Sequence, residues 1–327
     1  MADPDATASL TCWVLARPDD PGLRVLDPPP PGVRFVVGHH PEAFDEADAP
    51  AALLDCWAGP QLLAASLAKA PRLRWLHSRS AGLDRVLLPQ VVAHPALVTS
   101  GSGPFSAALA EFVAAALFFF AKDLRRLVED QHARAWRPAE MRMLAGQTLG
   151  VVGYGDIGRA VAARLRPFGM RVLALRRRVE LSAADPLVDE LVPPGRLPEL
   201  MARADAVVVA TPLTADTRGL VGASAIAAMK PTSVLVNVGR GPVVDEAALV
   251  SALEERRIRG AALDVFEHEP LPETHPFWRM DNVLVSPHCA DHVPGWVEAA
   301  MRLFLDNLER FRRSQPLLNV ADKQRGY

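Results

Sequence analysis

The chain of 327 residues is poor in cysteine, and its three cysteines, Cys12, Cys56 and Cys289, lie far apart. An odd number with no pair at metal-ligand spacing gives neither a disulfide framework nor a thiolate metal site. A reduced, cytoplasmic protein with no bound metal is expected. Basic charge is not in excess either: 36 Lys and Arg against 38 Asp and Glu leave a formal net charge of −2. No positive field covers the chain, so nucleic acid is not an expected partner. Long apolar runs are missing too. The most apolar stretch, "FVAAALFFFA" at Phe112–Ala121, is about half of the ~20 residues that a membrane span needs. It reads as a buried helix, and no membrane association is expected. The opening "MADPDATASL" has neither the basic start nor the apolar core of a signal peptide, so none is expected.

What the chain does have is alternation. Short apolar runs, "TCWVLA", "VRFVV", "ALLDCW", "LRWLHS" and "ALVTS", recur in the first third between helical patterns. A second series follows: "LGVV", "RVLAL", "AVVVA", "SVLVNV", "AALDV" and "NVLVS". Strands alternating with helices predict an α/β fold of parallel sheets covered on both faces. From Phe105 to about Trp136 the pattern predicts one long helical stretch, apolar first and charged later. "GWVEAAMRLFLDNLERFRR" near the end predicts an amphipathic helix.

Gly153, Gly155 and Gly158 form G-x-G-x-x-G between an apolar run and a helical pattern. Such glycines let the backbone turn tightly and approach a pyrophosphate that sits at a helix N-terminus. The strand-loop-helix context is what gives this short motif its weight. At the end of the next strand, an acidic residue would accept hydrogen bonds from the adenosine ribose. Here stand Arg176, Arg177 and Arg178, with no carboxylate before Glu180. A guanidinium suits a 2′-phosphate, which an acid would repel. NADP(H) is therefore favoured, with NAD(H) as the alternative; a solvated basic turn is the simpler explanation of the arginines.

Ligands of doubly wound sheets bind outside the carboxyl ends of the strands. The second series puts Thr211 and Pro212 after "AVVVA", Gly239-Arg240-Gly241 after "SVLVNV", Asp264 and then Glu269 after "AALDV", and Pro287-His288-Cys289 after "NVLVS". Reduction of a 2-keto acid needs a cation for the substrate carboxylate and carbonyl, and an acid that protonates the new alkoxide. Arg240 suits the first task and His288 the second. A carboxylate beside the imidazole raises its pKa; Glu269 is the candidate, with Glu267, His268 and Glu273 as near rivals.

In this order, "LGVVGYGDIGRAVAARLRPFGMRV", "TPLTADTRGL", "MKPTSVLVNVGRGPVVDEAALVSAL", "GAALDVFEHEPLP" and "NVLVSPHCA" resemble the D-isomer-specific 2-hydroxyacid dehydrogenase family. The resemblance covers nearly the whole chain. It implies a catalytic set of Arg240, Glu269 and His288, the glutamate before a proline selecting Glu269 over Glu267. It implies cofactor contacts at Gly153, Gly155, Asp156, Ile157, Gly158, Arg176, Arg177, Thr211, Pro212, Val238, Gly239, Asp264 and His288, with Asp264 reaching the nicotinamide carboxamide. Ser80, Ala81 and Gly82, with Arg240 and His288, would bind the substrate. A Rossmann cofactor domain would be inserted into a smaller flavodoxin-like substrate domain, with boundaries near 1–116, 117–292 and 293–327. A homodimer is implied as well.

The missing acid at the ribose position resembles the NADP-using glyoxylate and hydroxypyruvate reductases. "CADHV" follows the histidine where relatives have a small glycine-containing turn, so Asp291 and His292 bear on substrate choice. An NAD-dependent dehydrogenase of a bulkier D-2-hydroxy acid is the alternative within the enzymes. Outside them stands a nucleotide-sensing interaction protein like the C-terminal-binding corepressors, which share this fold.

Overall fold

The computed structural model describes residues 10–327. The stretch read above for a signal peptide lies, up to Ser9, outside the described residues. Contacts divide the chain into two compact units, residues 10–104 with 294–327, and residues 105–293.

In the first unit, β1 (Leu10–Leu15), β2 (Val33–Gly38), β3 (Ala52–Asp55), β4 (Trp75–Ser78) and β5 (Leu97–Thr99) form a parallel sheet in the order β2-β1-β3-β4-β5. This is the flavodoxin-like arrangement. Side chains alternate between faces along a strand, and β1 uses both. Trp13 and Leu15 pack with Leu62, Leu63 and Leu67 of α1 (Pro60–Ala68) and Val91 of α2 (Pro89–Ala93). Cys12 and Val14 pack on the opposite side, with Met301, Phe304 and Leu308.

The second unit begins with α3 (Ser106–Ala121) and α4 (Leu124–Ala133). The single helix expected from Phe105 to Trp136 is thus two helices. The break falls at Asp123, whose φ of 51° is left-handed, a conformation Asp tolerates better than most residues. The division by contacts falls ahead of α3, which packs on α5 (Asp156–Leu165), whereas the sequence boundary near 116 lies inside that helix. No helix among the described residues is long and apolar enough to cross a membrane.

The strands β6 (Thr148–Val152), β7 (Arg171–Leu175), β8 (Glu190–Val192), β9 (Ala206–Val209), β10 (Val234–Asn237), β11 (Gly260–Leu263) and β12 (Val283–Val285) form a wholly parallel sheet ordered β12-β11-β10-β9-β6-β7-β8. The order reverses between β6 and β9, which makes that crevice the ligand position of a Rossmann fold. β9, β10 and β11 are buried at every residue, as expected of central strands covered on both faces. The covering helices include α6 (Leu197–Arg203), α7 (Ala223–Ala227) and α8 (Glu246–Glu254), whose apolar residues join those of the strands in one core. The short edge strand β8 has no counterpart in the sequence reading; two of its three residues are only half-buried. The chain then returns to the first unit as α9 (Trp296–Arg312), whose Phe304 stacks on Trp75 at 5.5 Å.

Candidate functional site

The glycine loop joins β6 to α5. Gly153 has a φ of +94°, and a Cβ there would lie 2.6 Å from Thr211 Oγ1 and 2.8 Å from Thr211 N. Gly158 has no room for a side chain either: a Cβ would meet Gly153 O and Val151 Cγ1 at 2.8 Å each. Gly155 differs. A Cβ on it would meet nothing within 4 Å, and no side chain caps α5. Open space thus lies at a helix N-terminus whose first-turn N–H groups have no side-chain acceptor, a fit for a pyrophosphate. Asp156 and Ile157 occupy that first turn. The N–H groups of Gly153 and Tyr154 both donate to Leu175 O, tying the loop to the end of β7.

Beyond Leu175, Arg176 donates from Nη1 to Ser182 Oγ (2.7 Å) and Arg177 from Nη2 to Asp216 Oδ2 (2.9 Å). At the end of β9, Thr211 Oγ1 donates to Val152 O (2.9 Å), and the Pro212 carbonyl accepts from Thr217 Oγ1 (2.6 Å). A Cβ on Gly239 would meet Thr211 O at 2.8 Å. Three strand ends therefore meet at Thr211.

Buried Asn237, which the sequence reading did not single out, braces the end of β10. Its Oδ1 accepts from Gly239 N (3.1 Å) and its Nδ2 donates to Arg240 O (3.1 Å), both just past buried Val238. A polar residue closing an otherwise apolar strand was the available signal. Arg240 Nη1 donates to Gly239 O (2.9 Å).

His288 Nδ1 lies 2.8 Å from Glu269 Oε2, and Glu269 Oε1 accepts from Phe266 N (3.0 Å). Glu267, His268 and Glu273, the near rivals, make no such bond to His288. The bond to Glu269 raises the His288 pKa, outweighing partial burial and the Arg240 charge, with the Glu269 and Asp264 charges assisting. Burial works against ionisation of Glu269, but the His288 and Phe266 hydrogen bonds and the His288 and Arg240 charges hold its carboxyl below the usual range. A charged carboxylate accepts, so Nδ1–H donates and Nε2 is left for another partner. The His288 backbone is left-handed, with φ 52°, a costly conformation for such a residue. Asp264 holds it there: buried Oδ1 accepts from Ser286 Oγ (2.6 Å), Cys289 N (2.9 Å) and Ala290 N (3.1 Å). Burial raises the Asp264 pKa in spite of those bonds. This bracing role, and Ser286 with it, was not read from the sequence.

In the first unit, the half-buried Ser80–Gly82 loop follows β4. Ser80 N donates to Ser78 Oγ (3.2 Å), Ser80 O accepts from Gly101 N (2.8 Å), and Ser80 Oγ accepts from Trp57 Nε1. Asp291 and His292 make a pair at 3.7 Å just after the His288 loop.

Residues 114–290 match the family described as D-isomer specific 2-hydroxyacid dehydrogenase, NAD binding domain. A protein named glyoxylate reductase from Thermococcus gammatolerans is 36% identical over 267 residues, 78% of each chain. A solved D-isomer specific 2-hydroxyacid dehydrogenase from Xanthobacter autotrophicus, in complex with NADPH and MES, is 31% identical with a TM-score of 0.83, covering 98% of this chain and 100% of that one. An NADPH-dependent glyoxylate/hydroxypyruvate reductase from Sinorhizobium meliloti, in complex with NADP and sulfate, is 25% identical with a TM-score of 0.81, covering 97% and 100%. With its two parallel sheets and this likeness along most of its length, the chain belongs to the D-isomer-specific 2-hydroxyacid dehydrogenase family, as an NAD(P)-dependent oxidoreductase.

Proposed function

We propose that the protein is an NADPH-dependent reductase of small 2-keto acids of the glyoxylate or hydroxypyruvate kind. The observation that carries the cofactor preference is the run Arg176-Arg177-Arg178 directly after the last residue of β7. The pairing of Arg177 with Asp216 is an exposed one, worth about 0–1 kcal/mol. Charge-assisted bonds to a phosphate are worth about 1.5–3 kcal/mol each, so a 2′-phosphate would compete with Asp216 for Arg177. The names of the relatives, and the NADPH and NADP held by the two similar structures, support the same reading.

The bound nicotinamide supplies the hydride. Arg240 binds the carboxylate and polarises the carbonyl of the keto acid; His288 gives its Nε2 proton to the carbonyl oxygen as that becomes a hydroxyl. Glu269 holds Nδ1–H, which keeps the imidazole both oriented and charged. Asp264 and Asn237 fix the two loops from which these groups project. Thr211, Pro212, Val238 and Gly239 would line the cofactor beside the glycine loop. For the first unit we propose an anion-holding role for Ser80, Ala81 and Gly82; with Ser80 N engaged by Ser78, it falls mainly to the Ala81 and Gly82 N–H groups.

A matrix of NADPH and NADH against glyoxylate, hydroxypyruvate, pyruvate and branched 2-keto acids tests the whole reading. The highest kcat/KM is expected for NADPH with the smallest acids. A clear preference for NADH, or for a branched acid, overturns it in favour of an NAD-dependent dehydrogenase of a bulkier D-2-hydroxy acid. The engagement of Arg176 by Ser182 and Arg177 by Asp216 is the observation on that side.

We also propose a cytoplasmic homodimer. Leu124, Leu127 and Val128 of α4 and Trp136, Met141 and Met143 beyond it are exposed apolar side chains within one short stretch, more than a monomer usually shows.

A further inference from the structure

Another histidine–carboxylate pair holds the segment that carries Glu269. His275 Nε2 lies 3.2 Å from Glu246 Oε1, both side chains 16% exposed. Glu246 is the first residue of α8, where an acid could serve its own helix, but Asp245 already caps that end by accepting from Ala248 N (3.0 Å). The Glu246 carboxylate turns outward: its Oε2 accepts from Glu267 N (3.0 Å). His275 Nδ1 accepts from Phe277 N (3.3 Å). An accepting Nδ1 places the proton on Nε2, so the neutral imidazole donates to Glu246 with no need of a charge. His275 also packs on buried Phe277 (ring centroids 4.5 Å apart), which in turn touches Phe266 (6.3 Å).

These contacts enclose one segment. Glu246 grips it at Glu267 and again at His275, and Glu269, the partner of His288, lies between the two grips.

We propose that Glu246 and His275 form a positioning dyad that clamps the 266–275 loop and so sets the bond between Glu269 and His288. The dyad touches neither substrate nor cofactor and acts through Glu269. The inference rests on the acid–base reading of His288 given above. Loosening either grip lets Glu269 retreat from Nδ1, and a His288 that loses its carboxylate loses both orientation and proton affinity.

The test uses Glu246→Ala, His275→Ala and His275→Gln, with His288→Ala alongside. Gln keeps a donor where Nε2–H was and is the conservative variant. Keto-acid reduction is followed as kcat and KM against pH, and the His288 imidazole is titrated by NMR, its signals assigned by their loss in His288→Ala. Both alanine variants are expected to lower kcat about 10-fold or more with KM nearly unchanged. The alkaline limb of kcat and the His288 titration should move to lower pH together, and His275→Gln should recover most of both. Unmoved kcat, limb and titration in the alanine variants overturn the dyad even where their Tm falls, while leaving His288 as the acid. Should Glu246→Ala not fold, the two His275 variants decide. Normal turnover in His288→Ala overturns the acid–base reading and the dyad with it.

Discussion

Gly241 lies so close to Phe266 that a Cβ on it would sit 1.9 Å from the Phe266 carbonyl carbon and 2.0 Å from its oxygen. This places the residue after Arg240 flat against the loop that carries Glu269. Gly241 is not among the residues with positive φ, so space rather than backbone conformation demands glycine there. The obstructing atoms are backbone, which cannot rotate aside. Gly241→Ala is expected to push the loop back and lower kcat/KM about 10²-fold, the usual cost of a displacement near 1 Å. Overpacking should also cost about 1–3 kcal/mol of stability. Activity within twofold of wild type would mean that Arg240 and Glu269 are not held through this contact.

The His288–Glu269 bond fixes the sign of a pH effect. With the His288 pKa raised, the proposed acid is expected to stay protonated up to a pH above the ordinary imidazole value, and reduction is expected to fall as pH rises through its folded value. Glu269→Gln removes the charge behind that shift, so the alkaline limb should move to lower pH and kcat should fall at neutral pH. The stability linkage of His288 has the same sign, and that of Glu269 the opposite one. The raised His288 contribution is complete below the ordinary value and lost as pH rises through the folded one. The lowered Glu269 contribution is present above the ordinary carboxylate value and lost as pH falls through its folded one. His288→Ala should lower kcat by about 10²–10⁴-fold. A limb that Glu269→Gln leaves in place belongs to some other group.

The proposed preference for NADPH rests on the turn after β7. Arg176→Ala together with Arg177→Ala should raise KM for NADPH at least about 10-fold, since each charge-assisted bond is worth about 1.5–3 kcal/mol, while KM for NADH changes little. Equal effects on both cofactors would make the arginines general supports of the turn.

The first unit holds two buried groups with opposed pH dependence. His77 is fully buried, its Nδ1 hydrogen-bonded with Thr99 Oγ1 (2.7 Å), and burial pushes its pKa down to about 3. Asp55 is pushed up to about 6 by burial, against the Ala58 and Trp57 N–H groups and Arg79. Below ~6.5 the unfolded chain takes up the His77 proton first, which costs stability by about 1.4 kcal/mol per pH unit as pH falls. Asp55 takes up its proton first in the folded state, so it adds stability as pH falls from about 6 to ~4. The two slopes cancel over that window. Relative to wild type, Asp55→Asn should lose Tm between pH 6 and 4, and His77→Phe should gain it. Flat difference curves for both variants would show that neither group titrates as its burial implies.

Both sheets were legible in the sequence because their strands are buried runs of Val, Leu and Ala bounded by glycine, proline or polar residues, as in "SVLVNVGRG". β8 was not: "ELV" is too short and too exposed to show a period. The break at Asp123 escaped because neither Gly nor Pro marks it, and a left-handed Asp looks like any helix residue in the one-letter code. The candidate site followed the same rule. Arg240, Glu269 and His288 stand in short motifs at strand ends. Asp264 in its bracing role and Glu246 act through bonds to backbone groups far away in sequence, which no spacing reports; Asn237 acts on its near neighbours Gly239 and Arg240, and only its polarity at the end of an apolar strand marks it.

Trp136 is 95% exposed, the extreme among the large apolar side chains that are exposed. It follows α4, past the left-handed Arg134 that ends the helix. Around it, Arg137 reaches back to Asp130 and Arg142 N donates to Ala121 O (2.9 Å), so the stretch is tied to its own unit while its apolar side chains face outward. Fully burying such a side chain is worth about 1.5–3 kcal/mol or more, and two symmetric copies would count it twice. Trp136→Glu places a charge in the proposed interface without touching the core. It should shift the mass measured by light scattering from two chains to one at micromolar concentration, and Tm should fall by the stabilisation that association supplied. A Trp136→Glu protein that remains dimeric, or a wild-type protein that is monomeric at the same concentration, removes this surface from consideration as the contact between copies.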